Sequence, residues 1–202
     1  MTSKQQWYFI GAACALFLAQ TLPHLYHRWV EDESWLCVPA KTLREEGRIR
    51  VPVFAGTGFK QEIQQEVWPY PPGCIWMSSL AFRVGGMDAM VARVPSVLAG
   101  LGVIIATFLL GRKLVSPSAG VTAAFLAACD NLLFLTARTV RPEIYMPMFV
   151  ALTLLLWLKS KATSSVLWAG LSGLTAGVAL MFHHNAVPAF VAVGAFALWE
   201  FR

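Results

Sequence analysis

The side chains able to do chemistry are few, and they come in short groups. Glu31-Asp32-Glu33 sets three consecutive carboxylates ahead of Ser34-Trp35. Arg93 stands in an apolar stretch, Arg138-Thr139-Val140-Arg141-Pro142-Glu143 puts two guanidiniums beside an acid, and His183-His184-Asn185 follows. A carboxylate at a water–lipid boundary can take a proton from an attacking hydroxyl or ligate a hard divalent cation. Two arginines suit a phosphate or diphosphate, because a guanidinium matches that geometry bidentately. Glu143 would be a second acid, orienting Arg141 or sharing a cation with Asp32. Each group also has a plainer reading. Asp32 or Ser34 can cap a helix. Pro142 suits a first helical position and Glu143 a first turn, where the helix dipole favours negative charge. Adjacent histidines point to different faces of a helix, so at most one of the pair meets a site.

The elements that must position these groups are apolar helices. The chain has 202 residues, 57% hydrophobic and only 13% charged, with a mean hydropathy of +0.59. A soluble domain carries nearly twice that share of charge, roughly a quarter, so the composition indicates an integral membrane protein. Trp7 to Tyr26 reads as a first span with interfacial aromatics at both ends, retained as a signal anchor. Four more spans are expected at Met90–Leu110, Pro117–Leu135, Ile144–Leu158 and Val166–Phe182. A sixth runs over Ala186–Trp199, shortened by Pro188. The stretch 27–86 reads as a long first outer loop, and its part from His27 to Tyr70 holds seven of the eleven acids and six of the sixteen bases.

Inside that loop, Leu36, Ala40, Leu43 and Gly47 fall at helical spacing, with Lys41, Arg44, Glu45 and Arg48 facing away. Pro39 kinks this helix or begins it, and Gly47 stops it. Gly56 and Gly58 flank Thr57 in an irregular segment, and Trp68-Pro69-Tyr70-Pro71-Pro72-Gly73 makes a rigid turn. Cys74 to Val84 is too short to span and reads as interfacial or re-entrant, broken by Gly85-Gly86. With the N-terminus inside, Lys4, Arg112, Lys113, Lys159, Lys161 and Arg202 lie on the inner side, and Arg138 and Arg141 on the outer. This topology brings Asp32, Glu33, Arg93, Arg138, Arg141, Glu143, His183 and His184 to one level near the outer face. Ionisable groups at membrane depth are costly, so that shared level is the strongest functional signal.

The formal charge of +5 reads as topology and affinity for the lipid bilayer rather than nucleic-acid binding, since no basic stripe interleaves with aromatics. The four cysteines, Cys14, Cys37, Cys74 and Cys129, have no metal-type spacing. Cys37 and Cys74 share the outer side, either as a disulfide or as two thiols.

Asp32-Glu33 followed by Ala40, Leu43 and Gly47 resembles the D-E-x6-A-x2-L-x3-G stretch of membrane glycosyltransferases with the GT-C fold, in the protein mannosyltransferase and aminoarabinose transferase superfamily. Trp68 to Pro72 resembles the family's H-P-P segment, with Tyr70 where histidine is common. Arg93-Val94-Pro95-Ser96, Gly100 and Gly111-Arg112-Lys113-Leu114 resemble its R-x-P-S…G-R-x-L span. Arg138 to Glu143 resembles S-R-x-x-R-P-D/E, with Ala137 for the serine, and Gly177 to Asn185 resembles G-x-A-x-x-x-H-x-N/T. The order agrees throughout, and the match covers essentially the whole chain, 1–202, as the N-terminal portion of a longer enzyme.

The resemblance implies an all-α bundle and transfer of a sugar from a polyprenyl-phosphate donor to a hydroxyl of a protein, lipid or glycan, on the periplasmic or luminal side of a cell membrane. It implies Asp32 as the catalytic acid position, Glu33 as its motif neighbour and Glu143 as the second acid. It sets Arg138 and Arg141 near the donor phosphate, with Arg93 and His184 as further contacts, and a divalent metal, if one takes part, at Asp32 and Glu143. The alternatives are a transporter or flippase, which needs polar groups at mid-membrane, and a non-catalytic truncated paralogue.

Overall fold

A computed structural model of the chain describes residues 2–29, 31–52, 71–191 and 194, with the side chains of Ser3 and Glu31 left aside. The Gly56/Gly58 segment, the Trp68-Pro69-Tyr70 turn and the sixth expected span beyond residue 191 lie outside the described residues, residue 194 apart. Among the described residues every regular element is helical: α1 (Ser3–Thr21), α2 (Glu31–Glu46), α3 (Gly73–Gly85), α4 (Ala89–Leu114), α5 (Pro117–Ala128), α6 (Asn131–Ala137), α7 (Tyr145–Thr163) and α8 (Val166–Phe182). Single 3₁₀ turns at Leu22–His24 and Pro142–Ile144 follow α1 and precede α7.

Local sequence explains the helix ends. Asp88 caps α4 by accepting the Met90 N–H at 2.8 Å, and Ser116 caps α5 by accepting that of Ala119 at 3.1 Å, each satisfying a donor the first turn leaves open. Gly47 (φ 74°) closes α2, and Gly86 (φ 85°) closes α3, in the left-handed region that glycine enters without a Cβ clash. Pro39 lies within α2 and does not begin it.

Among the described residues, two helical segments are long and apolar enough to cross a membrane: Ala89–Leu114, and Pro142–Thr163, which joins the 3₁₀ turn to α7. A third crossing results if α5 and α6 count as one span. That pair covers the span expected over Pro117–Leu135, but it is broken and bends by 57°. The cause is the Asp130-Asn131 pair. Asp130 leaves the helical conformation (φ −70°, ψ 124°) and turns its carboxylate back onto the Leu133 N–H at 2.7 Å, so a new helix starts there. α8 is apolar but only 17 residues long, and α1 falls outside the set.

The helices pack as neighbours in sequence, α2 on α3, α4 on α5 and α7 on α8, while α4 also meets α7 and α1 lies on α5 and α4. Small residues set the spacing. A Cβ on Gly100 would lie 2.5 Å from the Phe17 ring, and one on Gly120 would lie 2.6 Å from the Phe108 carbonyl oxygen. Backbone approach of this kind is how helices pack where lipid removes the hydrophobic drive between them. The core runs through Phe17, Ile75, Phe82, Ile104, Phe108 and Ile144.

Candidate functional site

The four groups singled out in the sequence are brought to one end of the bundle, and they divide there into three environments. The first is buried. Glu33 is 0% and Arg93 1% exposed. Arg93 Nε donates to Glu33 Oε1 at 2.8 Å and Nη2 to Oε2 at 2.6 Å. Its remaining N–H groups donate to the carbonyls of Leu25 (2.7 Å), His27 (2.7 Å) and Arg28 (3.2 Å) in the turn that follows α1. A guanidinium has five N–H donors, and all five are taken. Glu33 Oε1 also accepts the backbone N–H of Val140 at 2.8 Å. One ion pair therefore joins α4, the post-α1 turn, α2 and the loop between α6 and α7. Arg93, expected among the phosphate contacts, has no N–H left for a phosphate. Glu33, expected among the catalytic groups, has no surface on which to meet a substrate.

The second environment is open. Asp32, one residue earlier on α2, points outward with its side chain 57% exposed and pairs with Arg141 Nη2. Arg141 Nη1 lies 3.8 Å from Glu143 Oε1, so one guanidinium stands between two carboxylates. Arg141 has the extended conformation (φ −132°, ψ 131°) expected of a residue before proline. These three side chains line a cavity of about 180 Å³ with Trp35, Pro142, Phe182, His183 and His184. Trp35 is one turn along α2 from Asp32, which puts it on the same face. Gly73 holds α3 against the end of α8 behind this cavity, since a Cβ there would lie 2.6 Å from the Met181 carbonyl oxygen.

Both histidines reach the cavity, with rings stacked at 4.7 Å. His183, expected at this level but not among the phosphate contacts, has its Nδ1 accepting the Asn185 N–H at 3.1 Å. That bond leaves Nε2 as the protonated nitrogen of the neutral ring. The H-x-N spacing, with its histidine at 183, was the available signal.

The third environment holds Arg138. It does not line the cavity. Its guanidinium lies over the Phe134 ring at 4.9 Å.

Glu143 is shared between two spaces. Its Oε2 is buried and has no hydrogen-bond partner among the described residues. It also borders an apolar groove of about 630 Å³ lined by Val103, Leu126, Leu133, Met146 and Pro147. Among the described residues, no three His, Cys, Asp or Glu side chains gather as a metal site. The two carboxylates are bridged by a guanidinium instead, so the donor set does not fit a resident cation.

Cys37 and Cys74 lie behind the cavity on α2 and α3, both buried and both free thiols. Burial raises both well above the ordinary thiol range, and Cys74 is pushed up to about 12.

Regular elements that are all helical among the described residues, helices long and apolar enough to cross a membrane, and a cavity carrying charged side chains at one end of the bundle define an integral membrane protein. The sequence matches the family model of dolichyl-phosphate-mannose-protein mannosyltransferases over residues 70–202, and the chain belongs to that family. An uncharacterized protein of Aquifex aeolicus (strain VF5) is 28% identical over 130 residues, which is 64% of this chain and 24% of that protein. The chain thus spans about a quarter of the length of the curated relative it matches. No solved structure matches.

Proposed function

We propose that the chain is the N-terminal, base-bearing part of a membrane glycosyltransferase of GT-C architecture, with about six spans, a long first outer loop over 27–86 and a site on the periplasmic or luminal face. It moves a sugar from a polyprenyl-phosphate donor to a hydroxyl on a protein, lipid or glycan acceptor. The observation that carries this reading is the Asp32–Arg141–Glu143 group lining one cavity at the end of the bundle.

Asp32 accepts the acceptor hydroxyl's proton as that oxygen forms its bond to the sugar's anomeric carbon. The bond from that carbon to the phosphate oxygen breaks, and the electron pair leaves with the polyprenyl phosphate. Charge develops on the phosphate, where Arg141 and the histidine pair supply fixed donors. Glu143 orients Arg141. Glu33 and Arg93 are positioning residues, which aim the turn of α2 that carries Asp32. The apolar groove on the far side of Glu143 suits the donor's isoprenoid chain, and an acid between lipid and water is where a lipid-linked phosphate has to arrive.

The test is Asp32→Asn in the longest available form of the protein, assayed for transfer from defined polyprenyl-phosphate sugars. Transfer is expected to stop while membrane insertion and yield are unchanged. Wild-type transfer by this variant overturns the assignment of Asp32.

A further inference from the structure

Arg138 and two histidines form a basic cluster outside the Asp32 cavity. His24 Nδ1 and His27 Nε2 are hydrogen-bonded to each other at 3.0 Å, with their rings stacked at 5.3 Å. His24 also meets the Phe134 ring edge-on, at 5.4 Å between centroids. The Arg138 guanidinium lies over the same ring, 4.9 Å from its centroid. Phe134 is therefore a platform with a guanidinium and an imidazole pair about it. The Arg138 side chain makes no hydrogen bond or ion pair within the described residues, and no described carboxylate pairs with it. The acid on α6's own edge, Asp130, is turned onto the Leu133 N–H.

Position decides what such a cluster meets. The turn after α1 exposes Leu22 and Tyr26, and α6 exposes Leu132 and Leu135. An aromatic beside apolar side chains at the end of a bundle marks the level of lipid headgroups. A half-buried guanidinium held over a ring keeps its N–H edge for an anion. A guanidinium with hydrogen-bonding imidazoles, set beside apolar side chains, complements one component of the bilayer: a lipid with a phosphate headgroup and net negative charge.

We propose that Arg138, His24 and His27 form a headgroup site for an anionic phospholipid of the leaflet at the Asp32 end. Arg138 takes the phosphate oxygens. The imidazole pair, which shares one hydrogen between two facing nitrogens, presents its other nitrogens to the same headgroup. The site is separate from the donor cavity and does not depend on the transfer chemistry proposed above.

The experiment uses the full chain in nanodiscs of phosphatidylcholine with and without phosphatidylglycerol, with retained lipid counted by native mass spectrometry. Wild type is expected to retain a phosphatidylglycerol that Arg138→Gln loses roughly tenfold, the effect of removing one charge-assisted pair. His24→Gln with His27→Gln should lower retention by a smaller factor, and Arg138→Lys should restore part of it. Arg83→Gln, at the end of α3, is the control and should retain lipid like wild type. A second arm adds millimolar inorganic phosphate. If free phosphate binds as well as the lipid does, the occupant is not a phospholipid and the proposal is overturned. Equal retention of phosphatidylcholine, or wild-type retention by Arg138→Gln, overturns it as well.

Discussion

The guanidinium of Arg93 meets the carboxylate of Glu33 through two parallel hydrogen bonds, across sixty residues of chain and with both groups shut off from solvent. Such a pair is stabilising only when its remaining hydrogen-bonding capacity is used. Here three carbonyls and one backbone N–H use it.

Removing one partner leaves the other charge buried and alone. Arg93→Ala should cost about 3–5 kcal/mol, the usual penalty for breaking a buried pair from one side. Detergent-solubilised protein should show it as a large drop in thermal midpoint and in yield. Replacing both partners, as in Glu33→Gln with Arg93→Met, should recover part of the loss. A double variant no better than Arg93→Ala would show that the three carbonyls, and not the carboxylate, are what Arg93 serves.

Arg141 contrasts with Arg93. Its pair with Asp32 is exposed, and exposed pairs contribute only about 0–1 kcal/mol. Arg141→Gln should therefore leave thermal stability within about 1 kcal/mol of wild type while sugar transfer falls by roughly a hundredfold or more, the scale for removing a donor that stabilises developing charge. Parallel melting curves and transfer rates on one preparation read both. A variant that melts early, with activity in proportion, would make Arg141 a structural residue.

Gly73 offers a steric test of how the site is held. Its missing Cβ would lie 2.6 Å from a backbone oxygen of α8, which has no flexible side chain to move aside. Gly73→Ala should push α3 and the end of α8 apart and weaken donor binding more than it slows turnover. Unchanged apparent affinity would detach the α3–α8 contact from the site.

The buried thiols give a pH dependence. Cys74 ionises near 12 in the folded chain against 9.0 for the free group, because burial penalises the thiolate. A raised folded value stabilises the fold fully below pH 9, and that contribution fades between about pH 9 and pH 12, where the unfolded thiol is already ionised. Alkylation is the direct readout, since the thiolate is the reactive form. A membrane-permeant maleimide at pH 8 should modify exposed Cys129 first and leave Cys37 and Cys74 unmodified until the protein is denatured. Rapid labelling of Cys74 in the native state would contradict its burial.

The α2 helix was legible because Leu36, Ala40 and Leu43 repeat at helical spacing. The membrane class was legible because so little charge is spread over so much apolar sequence. What was not legible was the division of labour between Asp32 and Glu33. Adjacent residues on a helix differ by about 100° in direction, and which one faces inward is fixed by Arg93, on another helix. Asp130-Asn131 was visible as a polar pair, but a polar pair within an apolar run reads equally as an interfacial contact or as a cap. Only the 57° bend separates the two. Arg138 and Arg141 look equivalent in sequence, three residues apart. The proline after Arg141 sends the chain into an extended conformation, while Arg138 still ends a helix, so their side chains leave in different directions.

The Val140 N–H that ends on Glu33 has one more consequence. It hangs the segment bearing Arg141 and Glu143 from the same carboxylate that anchors the turn bearing Asp32. The two halves of the cavity, 107 residues apart along the chain, thus share one fastening. Loosening that fastening would displace both walls of the cavity at once. A change at Asp32, one residue away, would leave the fastening and both walls in place.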